Sequence, residues 1–300
     1  MIYGMISKQN KLSENSKLIL SMLIFGTIGL VRKYIPYSSG MIAFVRGLTG
    51  ALFLFVFHLL QKKRLSGELL KANGKKLCLS GVLLGANWIL LFEAYRFTTI
   101  SVATICYYMA PVFVILASPI LFHEKLTLKK VICSLTAVFG MILVSGVTQT
   151  GFTGIKGALL GLSAAMLYAA VVIINKKMDA LAADDRTIVQ LGIAAAALLP
   201  YVLITDDLSQ IEVNQSAILM LLVAGILHTG IAYALYFGSI QKIPAQTVAL
   251  LSYLDPITAV LISAFLLKED MSLLTFIGVL LVIGSTIFAT CQKVEWKNKE

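Results

Sequence analysis

Charged residues are scarce in this sequence: Asp, Glu, Lys and Arg together make up 13% of its 300 residues, whereas apolar types make up 58%. A soluble domain has about a quarter charged residues and less than half apolar ones. The composition therefore excludes a soluble enzyme and a disordered chain. With only four cysteines, it also excludes a disulfide scaffold.

Motifs for catalysis and metal binding are also missing. Cys78, Cys106, Cys133 and Cys291 lie in or at the ends of apolar runs, and no two of them form a CxxC pair. The chain contains no GxSxG, HExxH, Walker or dinucleotide-binding glycine motif. We therefore predict no catalytic residues, no metal site and no bound cofactor. An ATP-binding segment is missing too, so nothing in the sequence predicts that the protein uses ATP directly.

What the sequence does contain is a series of long apolar runs bounded by charged residues, Gly or Pro. A transmembrane helix needs about 20 mainly apolar residues. Ten runs approach that length, so we predict an all-α integral membrane protein with ten transmembrane helices. The runs are 17–34, 40–60, 77–97, 101–121, 128–147, 155–175, 186–204, 216–237, 245–267 and 273–291.

The net charge of +10 is distributed unevenly among the loops. With the N-terminus in the cytoplasm, 19 of the 25 Lys and Arg residues fall on the cytoplasmic side and five on the outside. This distribution follows the positive-inside rule, so both termini are predicted to be cytoplasmic in a plasma membrane. The positive charge therefore indicates topology, and we predict no nucleic-acid partner. The basic loop 61–76 would face the cytoplasm, and the acidic loop 206–212 the outside.

The two halves of the chain resemble each other. With five helices in each half, the halves 17–147 and 155–291 would enter the membrane from opposite sides, as inverted-topology repeats do in many secondary transporters. The substrate site would then lie between the halves near the membrane midplane. Five pairs coincide when the chain is shifted by 145 positions: Tyr108 and Tyr253, Pro111 and Pro256, Ser118 and Ser263, Glu124 and Glu269, and Leu128 and Leu273.

These repeated segments resemble the EamA-type branch of the drug/metabolite transporter superfamily. The resemblance covers about 17 to 291, and it implies ten helices in two repeats, cytoplasmic termini and export of a small metabolite. The seventh run departs from the pattern, because Gln190 stands where the second run has Arg46. The residues that carry the resemblance are 97–103, Pro111, 123–127 and Gly140 in the first copy, Ser239, Ile240, Pro244, Ala245, Pro256, 268–272, Gly278 and Gly284 in the second, and 46–51 early in the second run.

Polar and aromatic residues near the middle of the runs are the candidate substrate-binding residues. Aromatic rings and a few polar groups at this depth suit a small amphipathic solute with an amine or a ring. We predict that Asp255 binds substrate and senses protons, although it could instead cap a broken helix, and a lone His is usually a packing residue. The candidates are Asn87, Trp88, Tyr107, Tyr108, Tyr168, His228, Tyr233, Tyr253 and Asp255.

Other residues are predicted to shape the bundle. Arg46 and Glu93 lie at similar depths, so they could form an ion pair with either a structural or a gating role. Pro111 and Pro256 would bend their helices, because proline removes a backbone donor. Glu124, at the end of its run, is expected to act structurally, by capping or by pairing with a nearby lysine.

These features predict a secondary active transporter that moves a small metabolite, such as an amino acid or amine, by alternating access and more naturally as an exporter. Its partners would be the solute, the lipid bilayer and a coupled proton, and it could be a monomer or a homodimer. A membrane-embedded enzyme acting on lipid and a scaffold or receptor without translocation are the alternatives.

Overall fold

The computed structural model describes residues 2–32, 34–62, 65–98, 100–144, 154–178, 181–206, 214–266 and 272–290. Several residues named above lie outside these ranges. They include Lys268, Glu269 and Asp270 of the second repeat motif, Asp207 and Glu212 of the acidic loop, and Cys291.

Every regular element in the described ranges is helical. Helices are the expected result of long apolar runs, because a helix satisfies its own backbone hydrogen bonds without water. A π-helical turn, Ile226–Ile231, follows α11. The helices are α1 Ile2–Gly26, α2 Ile28–Arg32, α3 Ser39–Leu60, α4 Gly67–Ala72, α5 Gly74–Phe97, α6 Ile100–Tyr107, α7 Ala110–Phe122, α8 Leu128–Val144, α9 Ile155–Lys176, α10 Ala183–Thr205, α11 Gln215–Gly225, α12 Ala232–Ile240, α13 Ala245–Leu251, α14 Leu254–Leu266 and α15 Leu273–Thr290.

Eight segments of the described chain are long and apolar enough to cross a membrane. Two further helices are shorter: α8 has 17 residues, and the apolar part of α15 is Leu273–Phe288. Eight of the ten predicted spans therefore have the length and composition of a membrane-crossing helix. The eight segments are Glu14–Arg32, Ser39–Leu60, Gly74–Phe97, Val102–Phe122, Ile155–Lys176, Ala183–Thr205, Gln215–Ile240 and Ala245–Leu266.

Two of the predicted runs are interrupted in the middle. One breaks between α6 and α7 at 108–109, just before Pro111, and the other breaks between α13 and α14 at 252–253, just before Pro256. Each proline lacks the N–H that would bond four residues back and disfavours helical geometry in the residue before it. The two interruptions occupy corresponding positions in the two halves of the chain.

The π-helical turn packs closely against α3 through glycine. A Cβ atom on Gly50 would lie 2.9 Å from the carbonyl oxygen of Gly225 and 3.0 Å from the backbone nitrogen of Gly230. Small residues allow this backbone contact between membrane helices. α8 and α15 make a similar contact at the side of the bundle, where a Cβ on Gly140 would lie 2.8 Å from the oxygen of Gly278.

Candidate functional site

Predicted aromatic residues come together at the centre of the bundle. The ring centroids of Trp88 and Tyr233 are 6.3 Å apart, and those of Tyr107 are 5.9 Å from Tyr168 and 6.1 Å from Tyr108. These rings belong to α5, α6, α9, α12 and the break after α6, so five segments of the chain contribute to one aromatic cluster.

Two aromatic residues that we did not predict join this cluster. Phe25 lies 5.0 Å from Tyr233, and Tyr236 stacks 6.5 Å from Tyr168. Tyr236 follows Tyr233 by three residues and therefore shares its helix face, a spacing that could have identified it from the sequence. Phe25 sits at the end of α1, and its sequence neighbours gave no comparable indication.

Asn87 connects the helices behind the cluster. Its side chain is fully buried, its Nδ2 donates to the carbonyl of Ala164 at 2.7 Å, and its Oδ1 lies 3.5 Å from the hydroxyl of Tyr107. A buried amide is stable only when its polar atoms find such partners. Asn87 therefore joins α5 to α9 and orients the ring of Tyr107.

Arg46 and Asp255 bring opposite charges to the cluster. The Arg46 guanidinium carbon lies 5.1 Å from the ring centroid of Trp88, and its buried Nε has no hydrogen-bond partner among the described residues. Asp255 lies at the start of α14 and its backbone packs on Gly26, next to Phe25: a Cβ atom on Gly26 would lie 2.6 Å from the backbone oxygen of Asp255. The side chains of Arg46 and Asp255 are both only partly exposed. Within the described chain they form no direct salt bridge. Neither charge is therefore neutralised by a direct ion pair with the other within the described residues.

His228 is held at the edge of this cluster. Its Nε2 lies 2.7 Å from the Thr27 hydroxyl and its Nδ1 lies 3.3 Å from the Val223 carbonyl. The ring is buried on the π-helical turn and connects it to the break between α1 and α2. Tyr253 is also fully buried, and its hydroxyl has no partner in the part of the chain that the structure describes.

The structure does not form the predicted Arg46–Glu93 ion pair. Glu93 instead accepts hydrogen bonds from Arg96 at 3.0 and 3.3 Å and from the Tyr201 hydroxyl at 2.8 Å. Arg96 lies one turn away on the same face of α5, so it reaches the carboxylate directly. Two residues at a similar depth can still lie on helix faces that point in different directions. The guanidinium of Arg46 lies over the ring of Trp88 instead.

A cavity of about 520 Å³ opens where α3 begins and where α5 and α10 end. The Ser38 hydroxyl donates to Asp206 Oδ2 at 2.6 Å across one side of it. Two turns deeper, on the faces that carry Ser39 and Tyr95, lie Arg46 and Trp88. We call this cavity the vestibule; it is lined by Ser38, Ser39, Gly40, Phe92, Tyr95, Arg96, Tyr201, Ile204, Thr205 and Asp206.

At the opposite end of α3 and α10, a buried arginine and a half-buried lysine bind backbone carbonyl groups. Arg186 is fully buried, and its Nη1 and Nη2 donate to the carbonyl groups of Asn175 at 3.0 Å and Phe237 at 2.6 Å. Lys176 donates to the carbonyl of Ile240 at 3.2 Å. Carbonyl groups at helix C-termini carry partial negative charge and favour cations. We call the region formed by Arg186, Lys176 and the carbonyl groups they bind the sealed end.

Two carboxylates strengthen the sealed end. Glu124 accepts hydrogen bonds from the backbone nitrogens of Ala245 at 2.6 Å and Gln246 at 3.2 Å, so it caps α13 of the other half. This confirms the structural role predicted for Glu124. Asp185 lies 3.5 Å from His58, and both side chains are buried between α10 and α3.

Comparison with known proteins gives the wider context of this bundle. The sequence model of the EamA-like transporter family matches residues 13–146 and again 155–291. The chain is 27% identical over 282 residues to the uncharacterized transporter YxxF of Bacillus subtilis, covering 93% of this chain and 90% of the relative. It is 25% identical over 274 residues to an uncharacterized transporter of Archaeoglobus fulgidus, covering 91% and 94%.

A solved structure, titled only as the crystal structure of a protein, has the same fold. It matches with a TM-score of 0.81 at 18% identity and covers 93% of this chain and 97% of its own. Together with the apolar helices, these matches indicate a multi-pass membrane protein that is a transporter rather than an enzyme. This chain belongs to the EamA-like transporter family.

Proposed function

We propose that this protein is a secondary active transporter that carries a small zwitterionic solute, such as an amino acid, by alternating access. The observation that carries the proposal is the central pair of charges, Arg46 and Asp255. Arg46 lies against Trp88 and the backbone of Asp255 packs on Gly26, next to Phe25 of the same aromatic cluster, and the two charges make no direct salt bridge in the described structure.

A zwitterion would complete the bonds that this cluster leaves open. The guanidinium of Arg46 can hold a carboxylate through charge-assisted hydrogen bonds, and Asp255 can hold an ammonium group. The solute's apolar part would lie against the rings of Trp88, Tyr107 and Tyr233, which also attract cations. This combination of an apolar wall and a few convergent polar groups is typical of small-molecule sites.

The pattern of helix packing supports the two inverted repeats. The main helix contacts reappear when each helix is replaced by its counterpart in the other half, 17–147 or 155–291. The contact between α5 and α9 corresponds to the contact between α12 and α1. The contact between α10 and α5 corresponds to the contact between the π-helical turn and α3. The pairs α3–α10 and α8–α15 each join counterparts of the two halves. Such symmetry allows the halves to exchange conformations.

The two ends of the bundle support the conformation we propose for this structure. The vestibule leads towards Arg46 and Trp88, whereas the opposite end is closed around Arg186. The excess of Lys and Arg on the predicted cytoplasmic side would place the vestibule outside and the sealed end in the cytoplasm. We therefore assign the structure to an outward-facing state in a plasma membrane, with both termini in the cytoplasm.

Proton exchange at Asp255 would drive export. In the outward-facing state a proton replaces the solute's ammonium group on the Asp255 carboxylate. In the inward-facing state the proton leaves to the cytoplasm and solute binds again. One proton then enters for each solute molecule that leaves, without a separate ion site.

Transport by the purified protein in lipid vesicles tests this proposal. We expect vesicles loaded with unlabelled L-phenylalanine to exchange it for labelled L-phenylalanine, and an imposed pH gradient to drive net flux. Asp255→Asn should abolish the pH-driven flux, because it keeps the shape but cannot exchange a proton. Arg32→Gln, an exposed charge at the end of α2, is the matched control and should transport normally. No exchange by folded wild-type protein would contradict the proposal and favour a scaffold or a lipid enzyme.

A further inference from the structure

We propose that the vestibule is a second binding site for the same zwitterionic solute, so that the molecule is held twice on its way through the bundle. This inference rests on the proposed function. The vestibule has a volume of about 520 Å³, within the usual range of roughly 300–1,000 Å³ for small-molecule pockets.

The walls of the vestibule carry fixed charges of opposite sign. On one side Glu93 holds the Arg96 guanidinium through two contacts, while 65% of the Arg96 side chain stays exposed. On another side Ser38 holds the Asp206 carboxylate through Oδ2. Tyr201 lies near both charges. Its hydroxyl donates at 2.8 Å to Glu93, the partner of Arg96. A Cβ atom on Gly40 would lie 2.9 Å from the Tyr201 ring and 3.7 Å from Asp206 Oδ2.

These two charges do not neutralise each other directly. Among the described ion pairs, Arg96 binds Glu93, and the hydrogen bond to Asp206 comes from the neutral Ser38. A solute that carries both a carboxylate and an ammonium group can bind Arg96 and Asp206 together. A solute with one charge could bind only one of them.

The vestibule thus repeats the recognition groups of the central site. Each has an arginine, an aspartate that is not bonded to it, and aromatic rings nearby: Phe92 and Tyr95 line the vestibule, as Trp88 and Tyr107 line the centre. The two sites also lie on continuous helix faces, because Trp88 and Tyr95 are two turns apart on α5. The same chemistry at both depths indicates the same class of solute.

Glu93 acts as a positioning residue in this arrangement. Its carboxylate fixes Arg96 and Tyr201 at the wall of the cavity through bonds of 3.0 Å and 2.8 Å. It does not need to contact the solute. Glu93→Gln should therefore weaken binding in the vestibule less than the loss of Arg96 or Asp206 does.

Equilibrium binding of labelled L-phenylalanine to the purified full-length protein tests the inference. We expect the wild type to bind two equivalents of L-phenylalanine per chain. Arg96→Gln or Asp206→Asn should leave one saturable equivalent, because the loss of one charge-assisted hydrogen bond weakens binding at the vestibule roughly tenfold or more. Asp255→Asn should also leave one equivalent, and Asp206→Asn combined with Asp255→Asn none. Arg32→Gln should retain two. Phenethylamine and 3-phenylpropionate, which each carry one charge, should bind weakly at both sites.

The outcomes separate this inference from the proposed function. A single equivalent that Asp255→Asn removes and that Arg96→Gln and Asp206→Asn leave unchanged would overturn the second site and keep the central one. Alternatively, the wild type could bind one equivalent that is lost in Asp206→Asn and fully retained in Asp255→Asn. That result would support the vestibule site and contradict the central site. No binding of L-phenylalanine by folded wild type would overturn both assignments. Unchanged thermal unfolding of each variant shows that it is folded.

Discussion

The two ends of the α3–α10 pair satisfy their charges in opposite ways. At the sealed end Arg186 is fully buried and bonded to two backbone carbonyl groups, and Glu124 caps a helix of the other half. At the vestibule the charges of Arg96 and Asp206 are held by single neighbours beside an open cavity. We therefore expect Arg96 and Asp206, which border an open cavity, to be more accessible to a solute than Arg186, which is buried against backbone.

The same contrast applies to two arginines of the bundle. Arg186 donates both Nη groups to main-chain carbonyl groups at the sealed end, whereas the guanidinium of Arg46 lies against the ring of Trp88. The Nε of each arginine has no partner within the described structure. If the comparison is correct, Arg186 stabilises the structure and Arg46 serves binding. Substitutions can separate these roles.

The largest expected effect is that of Arg186→Gln on stability. Each hydrogen bond from a charged donor contributes about 1.5–3 kcal/mol, and the variant loses the two that Arg186 makes to backbone carbonyl groups. We expect a clear fall in the thermal unfolding midpoint in detergent. Arg46→Gln is the matched control: it should leave the midpoint almost unchanged and impair binding of L-phenylalanine. Equal midpoints for Arg186→Gln and wild type would remove the distinction between the two arginines.

A smaller effect is expected for Glu124→Gln. The amide oxygen can still accept one backbone hydrogen bond at the start of α13, but the favourable interaction of a negative charge with the helix N-terminus is lost. The cost should be about 1 kcal/mol in unfolding free energy. Glu93→Gln, at the vestibule, is the comparison and should cost less, because its carboxylate is 22% exposed and can be solvated. A larger cost at Glu93 than at Glu124 would reverse our ranking of the two ends.

The smallest effect concerns the coupling between Arg46 and Glu93. Since the structure gives them different partners, the double-mutant cycle of Arg46→Gln and Glu93→Gln should be additive within about 0.5 kcal/mol. The measurement is the unfolding free energy of the four proteins in one detergent. A coupling energy above 1 kcal/mol would restore the ion pair predicted from the sequence.

The sequence predicted the central cluster better than the vestibule, for a physical reason. Trp88, Tyr107 and Tyr233 occur near the middle of apolar runs, and residues at one depth of a small bundle tend to meet. Depth, however, does not specify which face of a helix a side chain occupies, and this is why the Arg46–Glu93 pair was wrong. The vestibule arises where three helix ends diverge, and no local pattern encodes their separation.

Long-range contacts and backbone irregularities were also beyond sequence reasoning. The structural role of Glu124 could be predicted from its position after an apolar run, but its partner Ala245 is 121 residues away. The π-helical turn at 226–231 contains Thr229 and Gly230, but such residues also occur within regular membrane helices, so its composition does not predict the turn. The prolines at 111 and 256, in contrast, act on their own backbone, and the helix breaks beside them followed directly from the sequence.

Alternating access is the central claim, and distances between spin labels at the two ends of α3 and α10 test it most directly. In a background with Cys78, Cys106, Cys133 and Cys291 replaced, one label pair at Ser39 and Thr205 reports on the vestibule, and another at Gln61 and Ala182 reports on the sealed end. We predict that L-phenylalanine and a change of pH shift the two distances in opposite directions, so that the vestibule narrows as the sealed end widens. Distances that change together, or that stay fixed while the same labelled protein transports L-phenylalanine, would contradict the account.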